Sequence, residues 1–160
     1  MVSAPDMILL RAGHVEDLDA VMAIMNRSFD PCFGEAWTRS QCSGILPMPG
    51  VTLTIAALDG APVGFALART VLDESELLLL AVDPDHHGRG AGKALLEHFT
   101  GHSRSLGARH IHLEVRDGNT AIRLYQQAGY ELVGRRRDYY KAQDGQRYDA
   151  LTMSIPSRAD

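Results

Sequence analysis

Leu77-Leu78-Leu79-Leu80-Ala81-Val82-Asp83-Pro84-Asp85-His86-His87-Gly88-Arg89-Gly90-Ala91-Gly92-Lys93-Ala94-Leu95-Leu96 decides the fold. An apolar strand runs into a glycine-rich turn, and the turn opens a helix. The strand is almost continuously apolar, which predicts burial on both faces. Three glycines within five residues, Gly88, Gly90 and Gly92, leave main-chain N–H groups bare and let a bulky anion approach. The helix that follows adds its positive N-terminal end. The pattern predicts a phosphate or pyrophosphate site.

Working outward, residues 7–11 alternate weakly as a first strand, and residues 15–29 carry apolar side chains at helical spacing. A second helix is expected over 35–45, with Trp37 near its start, before Pro47 and Pro49-Gly50 break the chain. Residues 51–58 and 63–71 read as a hairpin around Asp59-Gly60. Asp73-Glu74-Ser75 marks the next turn, ahead of the apolar strand 76–82. A helix over 90–106 stops at Gly107, a strand covers 110–115, and a helix over 119–128 stops at Gly129. Residues 130–137 and 148–155 form a closing pair of strands. This order predicts an α/β fold with a mixed, twisted sheet of about six or seven strands flanked by about four helices. No linker or internal repeat divides the chain. One domain is expected over 1–160, with its core at about 6–156 and a frayed tail at 157–160.

Composition narrows the chemistry. The chain has 160 residues, 45% apolar and 22% charged, and a net charge of -4. Without a long basic run, nucleic acid is not the expected partner. No apolar run reaches the ~20 residues of a membrane span, and residues 8–10 are too short for a signal-peptide core, so a cytoplasmic protein off the membrane is expected. Cys32 and Cys42 read as plain thiols. The seven histidines include His86-His87 in the turn and His110 and His112 on one strand face. No Cys or carboxylate completes a familiar ligand set, so no metal is expected. Arg135-Arg136-Arg137 is a solvated strand end or a contact to a phosphate-bearing ligand or substrate.

The glycine turn fits two nucleotide-binding fingerprints poorly. A dinucleotide fold needs G-x-G-x-x-G, and the spacing from Gly88 to Gly92 is wrong for it. A P-loop needs Ser or Thr after G-K, and here Gly92-Lys93 is followed by Ala94. A tight strand-to-helix turn without a ligand is the bland alternative.

Residues 87–92 resemble the [QR]-x-x-G-x-[GA] pyrophosphate loop of the GNAT acetyltransferase superfamily, preceded by that family's Ala-Val-x-Pro strand end. Within it, the chain is similar to the ribosomal-protein-alanine N-acetyltransferases. The matching stretches are Val71-Leu72-Asp73-Glu74, Ala81-Val82-Asp83-Pro84-Asp85, Ala94-Leu95-Leu96-Glu97-His98, Leu113-Glu114-Val115-Arg116 and Arg136-Arg137-Asp138-Tyr139-Tyr140. The likeness is dense from Val71 to Tyr140 and sparse before Val51. Two departures stand out. His87 occupies the position of Gln or Arg, and the segment from Asn119 to Tyr125 is one residue shorter than the commoner form.

The resemblance implies an acyl-CoA N-acyltransferase fold with acetyl-CoA as cosubstrate, held where two neighbouring strands part. It implies that the backbone of Leu80, Ala81 and Val82 bonds the pantetheine arm. It gives the pyrophosphate to Gly88, Arg89, Gly90, Ala91, Gly92 and Lys93. Glu114 would be the general base, acting through water, and Tyr125 the general acid for the departing thiolate. Read from the residues alone, Glu114 is equally a surface carboxylate at a strand end and Tyr125 a core aromatic. Asn119 reads as a helix N-cap, with a cofactor contact as the implied second role. Tyr139 and Tyr140 line the acceptor groove or close the sheet. The implied acceptor is a protein N-terminus, foremost the alanine of a ribosomal protein. An α-amine of pKa ~8 is deprotonated more readily than a lysine at ~10.4, a gap of about 3.3 kcal/mol. A lysine or small-molecule amine is the alternative acceptor, and a CoA-binding module without chemistry the alternative class. Transfer should be direct, since neither cysteine lies near the motifs.

Overall fold

A computed structural model describes residues 7–157. Seven strands form one sheet in the order β1-β2-β3-β4-β5-β7-β6. They are β1 (Ile8–Ala12), β2 (Val51–Leu58), β3 (Ala61–Val71), β4 (Glu74–Val82), β5 (His110–Arg116), β6 (Glu131–Lys141) and β7 (Arg147–Ile155). Helices α1 (Leu18–Ser28), α2 (Arg39–Ile45), α3 (Ala91–Ser105) and α4 (Ile122–Gln127) connect them. β4 and β5 are parallel, because α3 carries the chain back across the sheet; every other neighbouring pair is antiparallel. The mixed sheet and the number of helices agree with the sequence-based expectation.

Element ends differ where side chains offer a competing stop. The first helix splits into a 3-10 turn at Val15–Asp17 and then α1, because Asp17 turns back to accept the His14 N–H at 2.9 Å. The second begins at Arg39, four residues late. Thr38 and Gln41 form a reciprocal capping box there, and residues 31–37 become a 3-10 turn and loop instead. The expected turn at 73–75 lies one residue earlier: Leu72 takes φ 56, and Glu74 and Ser75 already belong to β4. Helix α4 is shorter than 119–128, for residues 119–121 form a turn ahead of it. Ser157, placed in the frayed tail, donates to the Arg109 carbonyl at 2.7 Å; residues 158–160, like Asp6 at the other expected boundary, lie outside the described residues.

The continuously apolar β4 has a specific cause. Leu67 pairs with Leu79 and Ala68 with Leu77, so Leu78 is an extra residue in a β-bulge. The bulge reverses the alternation of side chains. Leu77 packs beside Leu95, Leu96, Phe99 and Leu113 under α3. Leu79 and Ala81 pack on the opposite face beside Phe65, Ile55 and Met25 under α1. Each face therefore takes leucines from one strand, and each fully buried leucine contributes roughly 1.5–3 kcal/mol.

Candidate active site

The bulge is also where the sheet opens. Pairing between β4 and β5 runs from Glu74–His110 to Leu77–Leu113 and stops there. Beyond it the two strands part. The cleft between them holds about 1170 Å³ and is lined by residues 78–82 on one side and Glu114, Val115 and Arg116 on the other. The Asp83 N–H donates to Val63 in β3 at 2.7 Å. Strand alternation then turns the main-chain groups of Leu80 and Val82 into the cleft and those of Ala81 toward β3. Of the three expected backbone contacts, Ala81 is thus placed differently, with its amide spent inside the sheet. The Val82 carbonyl is occupied as well: it accepts from the Ser28 hydroxyl at 2.9 Å and lies 3.0 Å from His87 Nε2. The imidazole that replaces Gln or Arg therefore pins the glycine turn to the end of β4. Arg27 holds the same corner, reaching Asp83 and Asp85 at 2.7 Å each.

At that corner α3 begins. Its N-cap, Gly90, sits at φ 86 and offers no side chain to the first turn. Ala94 N–H already donates to the Gly90 carbonyl at 3.0 Å. That leaves the N–H groups of Ala91, Gly92 and Lys93 at the positive end of a fifteen-residue helix, facing the cleft. A Cβ on Gly88 or Gly90 would meet no protein atom within 4 Å, so the space beside them is open to a ligand. Gly92 differs, since a Cβ there would lie 3.2 Å from Leu124 of α4; helix packing accounts for that glycine. Lys93 leans toward Glu97 at 3.9 Å, and Arg89 is exposed outside the cleft lining. Bare amides, open space and a helix dipole suit the diphosphate of a coenzyme A thioester.

The opposite end carries the titratable groups. Glu114 projects from β5 with its side chain 22% exposed, and Arg136 Nε stands 3.5 Å from its carboxylate. Tyr125 projects from α4 and is buried, its ring 6.4 Å from Tyr130. Burial first, then the negative charge of Glu35 and the neighbouring Tyr130, hold its hydroxyl well above the ordinary phenol range. Tyr140 is pushed up to about 12 by burial, Glu35 and Glu114. Its ring meets Tyr139 edge-on at 5.1 Å, and both line the cleft. Both amide atoms of Asn119 have a partner: its Oδ1 accepts from Ala121 N–H at 2.8 Å and its Nδ2 donates to Glu35 at 2.9 Å. It caps the turn before α4 rather than α4 itself. Sequence reasoning gave Glu35 no role and Arg116 none beyond its motif. They form an ion pair at 2.9 Å across 81 positions, a separation that no periodicity or spacing reports.

Comparison with known proteins points the same way. The acetyltransferase (GNAT) family matches residues 18–130. The ribosomal protein bS18-alanine N-acetyltransferase of Escherichia coli (strain K12) is 42% identical over 99 residues, 61% of this chain and 66% of that protein. The N-alpha-acetyltransferase RimI of Mycobacterium tuberculosis is 39% identical over 99 residues, 59% of each chain. This chain thus spans just under two thirds of the curated relatives it matches. The crystal structure of the ribosomal-protein-S18-alanine N-acetyltransferase from Escherichia coli superposes with a TM-score of 0.85 at 33% identity, covering 96% of this chain and 97% of that one.

Proposed function

Because the chain belongs to the acetyltransferase (GNAT) family, we propose that it transfers the acetyl group of acetyl-CoA to the α-amine of a protein N-terminus, foremost the alanine of a ribosomal protein. The observation that carries this reading is the parting of β4 and β5. One cleft has anion-binding amides at one end and a carboxylate and a protonated phenol at the other. The activities for which the relatives are named support the acceptor class. When bound, acetyl-CoA supplies an acyl group activated as a thioester.

The residues divide the work by position. Ala91, Gly92 and Lys93 N–H groups hold the diphosphate with Gly88 and Gly90 giving it room, and the Val82 and Leu80 amides align the pantetheine arm. Glu114 removes the proton from the incoming ammonium, directly or through water, since only a neutral amine attacks a carbonyl carbon. Tyr125 keeps its own proton at every working pH and offers it to the departing sulfur. Cys42 is buried on the inner face of α2 and, like Cys32, lies outside the cleft lining, which supports direct transfer without an acyl-enzyme. The ribosomal-protein substrate named for the relatives supports placing the reaction in the cytoplasm; no helix among the described residues is long and apolar enough to cross a membrane.

A peptide panel tests the acceptor. Peptides differing only in the first residue, and an Nα-blocked lysine peptide, are incubated with acetyl-CoA. Fastest acetylation of the free alanine terminus is expected. Reaction of the lysine peptide alone would assign a side-chain amine, and binding of acetyl-CoA with no transfer to any amine would leave a coenzyme-binding module.

A further inference from the structure

The segment 31–37, between α1 and α2, forms a rim of the cleft at the end where Glu114 and Tyr125 lie. Phe33 and Trp37 are its large apolar side chains, and both are only half-buried. Its backbone is held where the Cys32 carbonyl accepts from Gln143 N–H at 2.9 Å and where Trp37 N–H donates to Met25 Sδ at 3.4 Å; its side-chain tie to β5 and to the α4 entry is one carboxylate. Glu35 Oε1 accepts from Arg116 Nε at 2.9 Å, and Oε2 accepts from Asn119 Nδ2 at 2.9 Å. The Glu35 and Arg116 side chains are each 10% exposed. The Arg116 guanidinium also lies 3.8 Å from the centre of the Phe33 ring, on the same rim, and 5.5 Å from that of Tyr148. Asn119 passes the connection on, for its Oδ1 holds the Ala121 N–H in the turn that enters α4, and α4 carries Tyr125.

Stability alone explains this cluster poorly. A buried ion pair returns little net energy over apolar packing, because desolvation offsets the Coulomb attraction. It does fix geometry. Each carboxylate oxygen has one donor, and the donors belong to the end of the base-bearing strand and to the entry of the acid-bearing helix. The nearness is also felt at the phenol, where the Glu35 charge helps keep Tyr125 protonated.

We propose that Glu35 is a positioning residue for the acceptor: it ties the 31–37 rim to β5 and to the α4 entry, and so sets the rim at the width that seats a free N-terminus between Glu114 and Tyr125. The proposal rests on the acceptor reading above. Its action falls on the amine side of the cleft, away from Ser28, His87 and the glycine turn. Loosening the tie therefore weakens acceptor binding and leaves acetyl-CoA binding alone.

Glu35→Gln tests this at nearly constant volume. The amide turns one of the two oxygen positions into an NH2 donor, which then faces the N–H of Arg116 or of Asn119 with no acceptor between them. Steady-state rates are measured with an alanine-starting peptide and acetyl-CoA, each varied in turn. Trp37, the sole tryptophan, reports the rim by its emission without any turnover. The expected result is a rise in peptide KM of about tenfold with acetyl-CoA KM within about twofold, as a misplaced acceptor demands, and a red shift of Trp37 emission. An unchanged peptide KM overturns the proposal, as does an equal rise in both KM values or an unmoved emission. If the wild-type protein acetylates no amine, the acceptor reading fails on its own account, and the Trp37 emission of Glu35→Gln still decides whether the tie exists.

Discussion

Glu114 and Tyr125 face one cleft from different elements and sit in opposite surroundings, which suit the proposed base and acid. Glu114 is partly open to solvent beside Arg136, where it can exchange a proton with water. Tyr125 is buried, with its hydroxyl held protonated. Glu114→Gln should lower the rate constant for peptide acetylation about 10²-fold near neutrality, with acetyl-CoA affinity unchanged. The loss should shrink as pH rises past ~8, where an α-amine loses its proton unaided. A pH-rate profile of the variant checks both. Tyr125→Phe should also cut turnover about 10²-fold, but with no relief at high pH, since the missing proton is a donated one. At this scale the sequence was informative wherever a residue sits inside a contiguous motif. Glu35 was illegible because its partners lie 81 and 84 positions away, joined to it only by the fold.

At the scale of elements, two local devices shape the site. The Leu78 bulge swaps the faces of β4 and coincides with the end of β4–β5 pairing. The apolar run announced a doubly covered strand, but nothing in it marks which leucine is the extra one, because any of four adjacent leucines satisfies the pattern. The second device is the start of α3. Gly90→Ala puts a Cβ at φ 86, a left-handed conformation that costs an L-residue roughly 1–2 kcal/mol. The variant should melt earlier than the wild type and bind acetyl-CoA more weakly, since the added methyl enters the open space beside the amides. Thermal melts with and without acetyl-CoA separate the two effects. The capping box at Thr38 and Gln41 was present in the sequence as T-x-x-Q, yet apolar periodicity alone ran the helix back to Glu35. Cap chemistry sets a helix start more sharply than periodicity does.

For the whole molecule, the order of strands and helices followed from turn residues and periodicity, while the mutual placement of the cleft's two ends did not. That placement depends on long-range ties such as Arg27 to Asp83 and Arg116 to Glu35. Acid stability depends on similar ties. Arg11 and the His14 N–H hold Asp17 down from 3.8 to about 2. A depressed carboxylate stabilises the fold above its unfolded value and loses that contribution as pH falls through its folded value. The wild type should therefore lose stability between about pH 4 and pH 2, and Asp17→Asn should remove that part of the slope in chemical denaturation followed across pH.

The central claim is that the amides at the start of α3 and the bare edge of β4 hold a coenzyme A thioester. Calorimetric titration of the folded protein with acetyl-CoA tests it most directly. One molecule should bind per chain, and Gly90→Val should weaken that binding at least about tenfold by crowding the diphosphate. Absence of any binding heat at millimolar acetyl-CoA, or equal affinity in the wild type and Gly90→Val, would contradict it.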